Sequence, residues 1–73
     1  MTTVYVKPAC VQCDMTKRML NKLEIDYDTV DITEDEAALE MILSMGFKSA
    51  PVVITESDAW AGFQPDKINA LVA

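Results

Sequence analysis

Thr2-Thr3-Val4-Tyr5-Val6-Lys7-Pro8-Ala9-Cys10-Val11-Gln12-Cys13 carries the chain from a strand into a helix, with two cysteines at the junction. Thr2 to Val6 has the β-branched and aromatic composition of a pleated strand. Lys7-Pro8-Ala9 breaks it, because proline has no N–H to offer a sheet ladder. A helix is predicted from Cys10 or Val11 to Glu24, its apolar side running through Thr16, Met19, Leu20 and Leu23 at helical spacing.

Cys10 and Cys13 are the only cysteines in the sequence. Residues three apart on a helix have Cβ atoms roughly 5–6 Å apart, so a small backbone adjustment brings the sulfurs into disulfide range. The pair can open and close without rebuilding the fold. Cys13 lies nearer the apolar stripe, whereas Cys10 faces solvent at the first turn, where unpaired N–H groups and the positive dipole end favour an anion. Cys10 is therefore expected to have a thiol pKa below the ordinary cysteine value, with Lys7 acting in the same direction and Asp14 slightly against it. Cys10 is expected to attack and Cys13 to resolve. A structural bridge over so short a loop would remove little chain entropy. A closed zinc site needs about four ligands, and the chain supplies two cysteines and no histidine. Redox use is the expectation, with no metal and no cofactor.

The 73 residues suit one small domain spanning the whole chain, near the lower end of what folds without staples. With 51% hydrophobic residues there is enough for one core. A net charge of −6 argues against nucleic acid as a partner, since phosphates demand a basic face. The acidity suits solubility, or a partner with a basic docking surface. No charged-then-apolar leader opens the chain and no apolar run approaches the ~20 residues needed to span a bilayer, so a cytoplasmic monomer is expected. There a cysteine pair is more often catalytic than structural.

Beyond the first helix, Tyr27 to Ile32 alternates polar and apolar residues, and its two aspartates suit an edge strand. Thr33-Glu34-Asp35-Glu36 has the form of a capping box. Ala38, Met41, Ile42 and Met45 follow at helical spacing, and Gly46 closes that helix in the left-handed conformation. The acids from Glu34 to Glu40 read as a capped, solvated face. Val52 to Thr55 is a short buried strand, Glu56-Ser57-Asp58 a turn, and Ala59-Trp60-Ala61 a fourth strand ended by Gly62. Pro65 suits the first position of a last helix with Ile68, Leu71 and Val72 on its apolar side. The order is β-α-β-α-β-β-α. A parallel first βαβ unit and an antiparallel closing hairpin make an α/β fold with a mixed four-stranded sheet and helices on both faces. Cys10 then sits at the carboxyl end of the first strand, where ligands gather in open α/β sheets. Met15, Met19, Met41 and Met45 are expected to fill the core. Trp60 and Phe63 suit core packing and partner docking equally.

This order, with Cys-x-x-Cys at the first helix and Ala50-Pro51-Val52 before the third strand, resembles the thioredoxin fold in its glutaredoxin-sized branch, over the whole chain. Cys10-Val11-Gln12-Cys13 followed by Thr16-Lys17-Arg18, with Trp60-Ala61-Gly62-Phe63-Gln64-Pro65 near the end, is similar to the NrdH redoxins. That resemblance implies an electron carrier between thioredoxin reductase and class Ib ribonucleotide reductase. It implies Cys10 as nucleophile, Cys13 as resolving thiol and Pro51 as a cis proline beside them, with Val11 and Gln12 in support. Trp60, Gly62 and Phe63 would form the docking loop. Two positions depart from the family pattern: Ala61 stands where serine is usual, and Gln64 where arginine is frequent. The main alternative is a glutathione-dependent glutaredoxin, a branch that commonly carries Cys-Pro-Tyr-Cys and a late Gly-Gly pair. Here those places hold Val11-Gln12 and Gly62-Phe63. A small metal-carrying Cys-x-x-Cys module is a further alternative, although such modules lack the cis-proline strand and the last helix.

Overall fold

The computed structural model describes residues 1–72. Its elements are β1 (Thr2–Val6), α1 (Val11–Lys22), β2 (Tyr27–Asp31), α2 (Glu36–Ser44), β3 (Val52–Ile54), β4 (Ala59–Ala61) and α3 (Pro65–Ala70), in the predicted order. The sheet runs β2-β1-β3-β4. β1 pairs in parallel with β2 and antiparallel with β3, and β3 and β4 form an antiparallel hairpin. The aspartate-bearing β2 lies at an edge, where its charged side chains reach water.

Side-chain alternation along the strands divides the burial into two faces. Val4, Val53 and Trp60 are aligned across β1, β3 and β4. On that face they form one buried cluster with Leu20 of α1 and Ile68 of α3. Val52, one residue along β3, points to the other face and is also fully buried, as are Ala38 and Ile42 of α2 nearly so. The helices therefore cover both faces, with α1 and α3 together on one and α2 on the other.

Both longer helices end in the same hydrogen-bonded motif. In α2, Phe47 N–H donates to the Ile42 carbonyl and Gly46 N–H to that of Leu43, with Gly46 at φ +92° as expected. In α1, Ile25 N–H reaches the Leu20 carbonyl and Glu24 N–H that of Asn21, with Glu24 at φ +57°. A glutamate thus occupies a position whose backbone favours glycine, and α1 ends at Lys22 instead of Glu24. The start of α2 also differs from expectation. Asp31 Oδ1 accepts both the backbone N–H and the hydroxyl of Thr33, at 2.8 and 2.6 Å. Thr33 is thereby held in a turn, and Asp35 caps the helix by accepting Ala38 N–H at 3.0 Å.

The methionines correct a further expectation. Met19 packs partly buried against the core, but Met15, Met41 and Met45 are 39%, 39% and 46% exposed. The buried line of α1 is Cys13, Thr16 and Leu20, and that of α2 is only Ala38 and Ile42. Each core-facing stripe is narrower than the full set of apolar positions, so the outer methionines remain at its margin.

Candidate active site

Ala9, at φ +56°, turns the chain sharply out of the loop after β1, a conformation that costs a non-glycine residue about 1–2 kcal/mol. Cys10 follows with extended dihedrals as the N-cap of α1, and its Sγ accepts Cys13 N–H at 3.1 Å. Sulfur thus takes the place of the oxygen that usually satisfies the orphan donors of a first turn. Cys10 and Cys13 are joined as a disulfide, with their Cα atoms 5.2 Å apart. Cys13 is 1% exposed, anchored on the core side with Thr16 and Leu20. Cys10 is half-buried, and the neighbouring Val11 is 74% exposed. Cys10 is therefore the sulfur nearer to solvent. Asp14, in the first turn of α1, is paired with Lys17 at 3.7 Å.

The Ala50–Pro51 peptide is cis and Pro51 is buried. Its carbonyl accepts Gly62 N–H at 2.8 Å. Gly62 has φ +82°, and a Cβ there would come within 3.3 Å of Gln12 Oε1. That same oxygen accepts Phe63 N–H at 3.0 Å. Two hydrogen bonds therefore stitch together three segments far apart in sequence: the cysteine turn, the proline loop and the Gly62–Phe63 loop. Local sequence patterns hold no signal for Gln12's partner, which lies 51 positions away.

Trp60 is 3% exposed and belongs to the core cluster. The expectation that it forms part of a docking surface is corrected: its position on the inward face of β4 leaves almost none of the indole accessible. Phe63 is half-buried and lines an open cleft with Met15, Met19 and Leu23. Gln64, in the place of the frequent arginine, donates from Nε2 to the Ala61 carbonyl at 2.9 Å. It leaves the first turn of α3 without a side-chain cap. Behind Trp60, Lys67 lies 5.7 Å from the ring centroid and donates to Asp58 Oδ2 at 3.0 Å. The Lys67 hydrogen bond, then that from Ala59 N–H, holds the Asp58 carboxyl below the usual aspartate range. Among the described residues no three His, Cys, Asp or Glu side chains gather as a metal site, and no helix is long and apolar enough to cross a membrane.

Residues 2–60 match the glutaredoxin family. The glutaredoxin-like protein NrdH of Lactococcus lactis is 39% identical over 71 residues, covering 97% of this chain and 99% of the relative. The Escherichia coli NrdH is 38% identical over 69 residues, covering 94% of this chain and 85% of its own. The solved structure of E. coli NrdH-redoxin, a glutaredoxin-like protein described as having a thioredoxin-like activity profile, is 37% identical. It superimposes with a TM-score of 0.94 over 96% of this chain and 92% of that one. With its fold, its disulfide at the head of α1 and these relatives, the chain belongs to the glutaredoxin family and, within it, to the NrdH redoxins.

Proposed function

We propose that this redoxin is a cytoplasmic dithiol carrier, reduced by thioredoxin reductase and donating electrons to class Ib ribonucleotide reductase. The observation that carries this reading is Cys10 Sγ at the N-cap of α1, accepting Cys13 N–H. Once the disulfide is reduced, the same place suits a thiolate, since a helix N-terminus and an N–H donor both stabilise an anion. Cys10 then attacks the partner's disulfide, forming a mixed disulfide and expelling one partner sulfur as a thiolate. Cys13, once deprotonated, attacks Cys10 Sγ. That closes the Cys10–Cys13 bond and releases the second partner sulfur, so two electrons pass to the partner and its two thiolates take up protons. Pro51, Val11 and Gln12 support this turn, Gly62 and Phe63 face the partner, and Trp60 holds the loop from behind.

The electron source discriminates the readings. Glutathione needs anchors for two carboxylates and an ammonium group. Phe63 stands where a second glycine would open that space, and Lys48 is the only basic residue shortly before Pro51. NADPH with thioredoxin reductase is expected to reduce the Cys10–Cys13 disulfide efficiently, and glutathione with its reductase poorly even at millimolar concentrations. Efficient turnover with glutathione, or none with a matched thioredoxin reductase, would make the protein a glutaredoxin in function.

A further inference from the structure

We infer that the cleft between α1 and α3 docks an acidic segment of the disulfide partner. One bulky apolar side chain of that segment rests on Met15, Met19, Leu23 and Phe63, and its carboxylates meet Arg18 and Lys22. The inference rests on the exchange reading above and adds the chemistry of the bound segment.

The cleft is open and holds about 490 Å³, and none of its lining residues is acidic. Its apolar floor is half methionine, a side chain that adapts to variously shaped partners. The position connects it to the disulfide. Val11, Met15, Arg18 and Lys22 follow one another at three- and four-residue spacing, which places them along one side of α1. This line begins beside Cys10 and, at 1.5 Å per residue, runs about 16 Å, the reach of roughly five extended residues. At its near end Phe63 is tied to the cysteine turn through Gln12 Oε1, so a side chain seated on Phe63 is registered with the reacting sulfurs.

Charge selects the occupant. The chain carries six basic residues against twelve acidic ones. Lys17 is paired with Asp14 and Lys67 with Asp58, whereas among the described residues Arg18 and Lys22 form no ion pair. The two cations at the cleft are thus available to a partner. At physiological ionic strength charges are screened beyond about 8 Å, so a docked segment responds to these neighbours more than to the net charge of the molecule. The local preference is therefore for an acidic segment, the opposite of what the overall acidity suggests.

The test is single-turnover reduction of two synthetic peptides by the protein, reduced beforehand with dithiothreitol that is then removed. Both peptides carry an oxidised Cys-x-x-Cys pair preceded by one Phe; in one the Phe is flanked by Glu, in the other by Lys. The Glu peptide is expected to half-saturate at about tenfold lower concentration at low salt, an advantage that shrinks in 1 M NaCl, where the screening length falls to about 3 Å. Arg18→Glu with Lys22→Glu should reverse the preference, and Arg18→Ser with Lys22→Gln should abolish it. Circular dichroism would verify that each variant stays folded. Equal half-saturation by the two peptides, or a Glu preference that survives charge reversal, would overturn the inference. Failure to reduce either peptide would instead overturn the exchange reading on which it stands.

Discussion

Cys10 and Cys13 differ in one respect on which their proposed roles rest: the first caps the helix and the second is packed beneath it. Cys10→Ser is expected to abolish disulfide reduction, whereas Cys13→Ser should accumulate a mixed disulfide through Cys10, visible by intact mass. An adduct formed only by the Cys10 variant would reverse the roles. Gln12, proposed as a positioning residue, offers a finer experiment. Gln12→Ala removes the acceptor for Phe63 N–H, a bond worth about 0.5–1.5 kcal/mol. Hydrogen exchange at the Phe63 amide should accelerate by about two- to tenfold, while Gln12→Glu, which keeps an acceptor oxygen, should restore protection. Unchanged exchange in the alanine variant would mean the bond does not hold the loop. Neither cysteine needs its partners known to be singled out, since spacing and helix geometry are local. The partner of Gln12 was not legible, because its acceptor finds a donor only after the sheet brings the closing loop against α1.

At the scale of elements, the helix ends hold the clearest departure from local preference. Glu24 takes the left-handed position of a motif that glycine fills in α2. Glu24→Gly should stabilise the protein by about 0.5–1 kcal/mol, the relief of strain being partly offset by greater freedom of the unfolded chain. A urea midpoint that stays put or falls would show that the glutamate makes compensating contacts. The β3–β4 hairpin carries a pH-dependent contribution through Asp58, whose carboxyl is held low first by Lys67 and then by Ala59 N–H. A lowered folded pKa means that this contribution is complete above the pH at which the unfolded carboxyl titrates. It disappears as the pH falls through the lower, folded value. Lys67→Met should raise the Asp58 midpoint toward the ordinary aspartate value in a carboxyl chemical-shift titration. The succession of strands and helices along the chain, the hairpin turn and Gly46 were legible because two- and 3.6-residue periods and turn residues act over a few positions. The start of α2 was not: Thr33 and Asp35 are both competent caps, and the choice depends on Asp31 engaging Thr33.

Across the whole molecule, a small core makes each buried side chain matter. Leu20 and Ile68 are fully buried where α1 and α3 meet the sheet. Leu20→Ala should cost about 2–5 kcal/mol, a large share of the 5–15 kcal/mol typical of a folded protein. Met15→Ala, at an exposed site, should change stability by no more than about 0.5 kcal/mol. Urea unfolding of the oxidised proteins would compare them, and equal losses would contradict the division between core and cleft margin. The sequence by itself determined the alternation of strands and helices, the pairing of Cys10 with Cys13 and the need for a break at Gly62, because each follows from composition and spacing within a turn or two of chain. Only the tertiary structure decided that Trp60 is inside the core while Phe63 packs half-buried at its margin, that Met15 lines a cleft, and that Gln12 meets the closing loop. Apolar residues a few positions apart reach different depths according to where the strands and the closing loop place them, and a hydrogen bond across 51 positions exists only once the chain has closed.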